Sequence, residues 1–129
     1  MNKQILLLLS LVLSGFLFAQ QSVARDSPTN AERTMSTIIN YLNHYPGDEE
    51  KKKLNKILGN KKSTSQEKVI ATALLNLQHS ATEGDKRKLS KIMSDSSSPQ
   101  AVRDLAKIIH GLNHKPSDGD KNLLKKYMW

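Results

Sequence analysis

The stretch Thr37–Leu58, TIINYLNHYPGDEEKKKLNKIL, lines up with Thr72–Met93, TALLNLQHSATEGDKRKLSKIM, and again with Lys107–Met128, KIIHGLNHKPSDGDKNLLKKYM. Each copy starts 35 residues after the one before it. Five columns hold one residue type in all three copies: Leu42/Leu77/Leu112, His44/His79/His114, Lys51/Lys86/Lys121, Leu54/Leu89/Leu124 and Lys56/Lys91/Lys126. Self-similarity at this period marks a helical array in which no single unit buries its own apolar face.

Each copy reads as a pair of helices. The first, helix A, starts at Thr29, Thr64 and Ser98-Pro99, because Ser and Thr satisfy orphan N–H groups and Pro has none to satisfy. In this reading Ser98 caps and Pro99 takes the first helical position. Val69, Ile70, Ala73, Leu74 and Leu77 recur at spacings of three and four, as do Val102, Leu105, Ile108, Ile109 and Leu112. Met35, Ile38, Ile39 and Leu42 do the same in the first copy, so each helix A carries one apolar stripe. It ends near the repeated His. Pro46 and Pro116 mark the turn that follows, since proline interrupts a helix and restricts the residue before it.

Thr82 and Ser117 are placed to cap the second helix, helix B, with Asp85 and Asp120 three residues on. Its first turn is acidic, which opposes the helix dipole. Its apolar side is Leu54, Ile57 and Leu58, repeated as Leu89, Ile92 and Met93, then as Leu124, Tyr127 and Met128. The expected fold is all-α: a short right-handed α-solenoid of three 35-residue helical hairpins, about six helices. Repeats fall near 30–64, 65–99 and 100–129, in a single domain over 25–129. The pattern resembles helical-hairpin repeat proteins of the HEAT and TPR class, in architecture only. The resemblance implies a tendency to bind proteins, and no residue of those families carries over.

Lys3 followed by the apolar run Ile5–Phe18 and the small residues around Ala24 reads as a secretory signal peptide, residues 1–24. The run is too short for a membrane span of roughly 20 apolar residues. The chain has no cysteine. Small secreted animal proteins are commonly stapled by disulfides, so the expected location is the periplasm of a Gram-negative bacterium, or secretion, after cleavage near Ala24. The full chain has a formal charge of +8, and loss of Lys3 leaves 8 − 1 = +7. Acidic partners are favoured: an acidic protein, lipopolysaccharide or an acidic wall polymer, with nucleic acid set aside by export.

Stacked B helices would align Lys52, Lys53, Lys56, Arg87, Lys88, Lys91 and Lys126 into a basic ribbon, and Trp129 would either cover the open end of the last repeat or act as an anchor. An uncovered end would also allow a homodimer. The His column invites a metal, yet neighbouring helices pack roughly 8–10 Å apart, so successive copies in a stack should be too distant to share one ion. The expected role of each His is to end helix A, favouring the dipole and bonding the last carbonyls. No metal and no other cofactor is expected, although His110 and His114, one turn apart, form a weak two-ligand pair. Ser65 and Lys68 match a Ser-x-x-Lys pattern without its companion motifs, and no other catalytic arrangement stands out, so an enzyme is not expected. The reading favours a periplasmic protein-binding module, foremost an immunity or inhibitor protein that occludes a toxin or cell-wall hydrolase. A polyanion-binding envelope protein and a periplasmic chaperone or adaptor are the alternatives.

Overall fold

The computed structural model describes residues 27–129; the signal-peptide reading falls outside them. The described chain has six helices: α1 (Asn30–Asn40), α2 (Asp48–Gly59), α3 (Ser65–Leu75), α4 (Glu83–Ser94), α5 (Gln100–Gly111) and α6 (Asp118–Leu124). They form the three expected hairpins, with α1, α3 and α5 as the A helices. No helix among the described residues is long and apolar enough to cross a membrane.

The start signals act as local chemistry requires. Thr29 and Thr64 accept from the backbone N–H groups of Glu32 and Glu67 at 3.1 Å, and each Glu carboxylate accepts the cap residue's own N–H in return. Thr82 and Ser117 cap α4 and α6, accepting from the N–H groups of Asp85 and Asp120; Asp120 also accepts the Ser117 N–H, whereas Asp85 accepts from the Thr82 hydroxyl. The first copy has Gly47 at this position with no side-chain cap bond, and relies on Asp48, Glu49 and Glu50 in the first turn.

The third helix A corrects one expectation. Pro99, not Ser98, is the N-cap of α5. Ser98 is buried and its Oγ donates to Asp95 Oδ2 at 3.0 Å. The glutamate column ends in Val102 here, so no reciprocal box can form. Val102 is instead packed into the core.

The apolar stripes meet in one core. Leu54, Leu89 and Leu124, the repeated leucines of helix B, have no exposed surface, and neither do Met35, Ile70 and Leu105 of helix A. Full burial of such side chains contributes about 1.5–3 kcal/mol each.

The solenoid does not stay open. α2 packs on α3, and α4 packs on α5, as stacking requires. α6 then packs on α1, so the last hairpin covers the free face of the first. All three A helices touch one another, and no B helix touches another B helix. The result is a closed ring of three hairpins, with A helices around a central axis and B helices outside. Small residues at one column support this close approach, since Ser36, Ala71 and Ala106 are all fully buried.

Candidate metal centre

Closure brings the His column together. The turn after each A helix carries its His toward the shared axis. There the backbone forms a three-membered hydrogen-bonded cycle. His44 N–H donates to the His114 carbonyl at 2.7 Å, His114 N–H to the His79 carbonyl at 2.6 Å, and His79 N–H to the His44 carbonyl at 3.1 Å. The expected bonding to the last helix carbonyls is therefore replaced, for the backbone, by bonds between repeats.

All three His have positive φ, at 74°, 70° and 67° for His44, His79 and His114. They are the only described non-glycine residues with this conformation, and no described glycine adopts it. In two copies the turn closes across the His: Tyr45 N–H donates to the Asn43 carbonyl at 3.0 Å, and Lys115 N–H to the Asn113 carbonyl at 2.8 Å. A γ-turn around a positive-φ residue is rare and strained. A side chain in this region costs on the order of 1 kcal/mol or more, and strain of this kind concentrates at functional sites.

The side chains converge as well. Ring centroids are 5.0 Å apart for His44–His79 and His44–His114, and 4.7 Å for His79–His114. One ring nitrogen from each His lies within 4.8 Å of the other two. Bonds of about 2.0–2.1 Å to one tetrahedral zinc ion place ligand nitrogens about 3.3 Å apart. The rings are thus about 1.5 Å or less from a ligating arrangement. His44 is half-buried, while His79 and His114 are exposed, so rotamer adjustment can close that gap.

Asn113 supplies outer support. Its Oδ1 lies 2.7 Å from His114 Nδ1. When Nδ1 carries the ring proton it donates to this amide oxygen, and Nε2 then keeps the lone pair for a metal. This is the outer-shell arrangement that fixes the tautomer of ligating histidines. The same column holds Asn43 and Gln78.

The expectation that the three His stay apart is overturned, and the reason is geometric. A spacing of roughly 8–10 Å applies to helices stacked side by side. Residues near the axis of a closed ring approach one another instead. The proposed His110–His114 pair is replaced by a cluster of His44, His79 and His114, with His110 outside it.

The basic residues are placed differently from a ribbon. Lys52, Lys53, Lys56, Arg87, Lys88, Lys91 and Lys126 are all exposed, but the B helices that carry them do not touch and lie at separate places around the ring. Lys52 pairs with Glu49 at 2.7 Å in an open setting, a contact of small energetic value. Trp129 is 84% exposed and covers no repeat end, because α6 is already packed on α1. Tyr127 anchors this end, its hydroxyl donating to Asp104 Oδ2. Burial and the Asp104 carboxylate raise the Tyr127 pKa well above the usual tyrosine value.

Sequence reasoning passed over Tyr45, Asn113 and the half-buried Lys51 beside this centre. Lys51 had a signal, as a member of an identical column. Asn113 and Tyr45 had none, because their roles depend on the ring.

The molecule is thus a ring-closed all-α repeat protein with one histidine from each repeat on its axis. No family model matches the chain, and neither a curated protein nor a solved structure matches it.

Proposed function

We propose that this protein binds one divalent transition-metal ion, zinc or copper, through His44, His79 and His114. The observation behind this reading is that all three repeats place the same residue at a costly positive φ and bring its ring to the same point. A turn needing only that backbone would be served more cheaply by glycine. Imidazole donors suit zinc, copper and nickel, whereas magnesium and calcium require oxygen. The positive net charge opposes a cation only weakly, because the Debye length is about 8 Å at physiological ionic strength. Two of the three rings are exposed, so no water-excluding cavity surrounds the ion. We therefore read the site as one for binding and not for catalysis, in a periplasmic or secreted protein.

Isothermal titration of the metal-stripped protein with zinc or copper tests this. One equivalent is expected to bind, and His79→Asn should abolish it. Absence of stoichiometric binding by both ions at about 10 µM protein sinks the proposal.

A second reading keeps the protein-binding role, as an immunity or inhibitor protein, with an acidic protein partner. It is supported by the open exposure of the seven basic side chains and of Trp129. Capture of a single stoichiometric protein from envelope extract that persists at high salt, and weakens with Lys56→Glu or Lys91→Glu, is its expected result. Recovery of lipopolysaccharide or wall polymer alone, lost at high salt, favours polyanion binding instead.

A further inference from the structure

Three neutral imidazoles leave a divalent ion with its full charge and an open fourth position. What lies beside that position indicates what fills it. A cleft of about 540 Å³ adjoins His79 at the junction of the first two repeats, and Tyr45, Lys51, Asn76, Gln78 and Thr82 also line it. Thr82 Oγ1 is already committed to Asp85, and Asn76 Nδ2 donates to the same carboxylate. Lys51 is the cationic group that remains for a ligand.

Lys51 differs from its neighbours. Lys52, Lys53 and Lys56 are exposed, but Lys51 is half-buried, and so are its counterparts Lys86 and Lys121. All three copies thus hold a lysine partly withdrawn from water in the same column. Lys86 has a carboxylate nearby, with Glu83 Oε1 3.4 Å from its Nζ. Lys51 has no ion-pair partner among the described residues, and its Nζ lies 5.9 Å from the Tyr45 ring centroid. The ring face is compatible with the cation but does not neutralise it. A partly buried ammonium without a counter-ion, lining the same cleft as a metal-ligating His, calls for an anion that reaches both.

We propose that the fourth ligand is a small carboxylate, with one oxygen on the metal and the other accepting from Lys51 in the cleft beside His79. The inference rests on the metal reading above. Its chemistry is that of a charge-assisted hydrogen bond added to a metal–oxygen bond. A monatomic anion such as chloride reaches the metal but offers no second atom to Lys51.

Cobalt(II), loaded onto the purified protein in place of zinc, reports coordination through its visible absorption. Titration with acetate at constant ionic strength should shift the bands saturably, and Lys51→Met should weaken acetate binding about tenfold while leaving cobalt stoichiometry unchanged. Lys51→Arg should restore most of the affinity, and chloride should depend on residue 51 less than acetate does. If cobalt binds but acetate leaves the spectrum unchanged, or affects wild type and Lys51→Met equally, the carboxylate inference fails and the metal site stands. If cobalt, zinc and copper all fail to bind, both fall.

Discussion

The N–H of His44 donates to the carbonyl of His114 at 2.7 Å, joining the first repeat to the last. In an open stack these two residues would be the most distant members of their column. Here they are direct neighbours, with rings 5.0 Å apart. The bond shows that the array is closed, and it places three imidazoles around one point.

Closure has a signature in hydrogen exchange. The amides of His44, His79 and His114 lie in turns, two of them on exposed residues, yet each is bonded to the next repeat. All three should exchange slowly, with comparable protection. An open array would leave the amide of His44 without its partner, and fast exchange there would contradict the ring.

The positive φ of His79 separates a structural role from a binding one. His79→Gly should leave the metal-free protein as stable as wild type or up to about 1 kcal/mol more stable, because glycine accepts positive φ without steric cost. The same variant should lose stoichiometric metal. A large loss of thermal stability in the absence of metal would mean that the ring stack itself holds the fold.

Ser36 is fully buried and its Oγ has no hydrogen-bond partner, while Ala71 and Ala106 hold the same column in the other repeats. An unsatisfied buried hydroxyl costs about 1–3 kcal/mol. Ser36→Ala should therefore stabilise the protein by about 1 kcal/mol in urea unfolding, with an unchanged dependence on denaturant. A loss of stability would show that the hydroxyl has a role in the core.

Asp95 ties down the loop between the second and third repeats. The Ser97 hydroxyl and backbone N–H and the Ser98 hydroxyl hold its pKa below the ordinary 3.8. A carboxylate depressed in the folded state stabilises above its unfolded pKa, and that contribution is lost as pH falls through the folded value. Asp95→Ala should be less stable than wild type at pH 7, and the difference should shrink below pH 3.8. A difference that is the same at neutral and acid pH would show that the ionised form is not what matters.

Much of the local structure was legible in the residues. Thr29, Thr64, Thr82 and Ser117 cap where their side chains predict, and the repeated leucines of helix B are fully buried. These features depend on a few neighbouring residues or on periodicity. The third helix A misled because Ser98 and Pro99 each carry a valid start signal; the cap falls at Pro99, in the column of Thr29 and Thr64, and Val102 lies in the core where the other copies have a glutamate. Of the centre, the histidine column was visible but its convergence was not. Asn113 beside His114 carried no signal, since an Asn in a turn has many other uses.

The sequence by itself determined the repeat, the hairpins, the apolar faces and the identity of the axial residue. It could do so because helix formation, capping and burial are governed by residue type and short-range spacing. Only the tertiary structure decided whether three hairpins stack in a line or close on themselves. That choice depends on the rotation from one hairpin to the next, which arises from many side-chain contacts among the A helices, including the close approach at Ser36, Ala71 and Ala106. The same period of 35 residues is compatible with either outcome. A rotation that closes the ring converts a column of separated histidines into one centre.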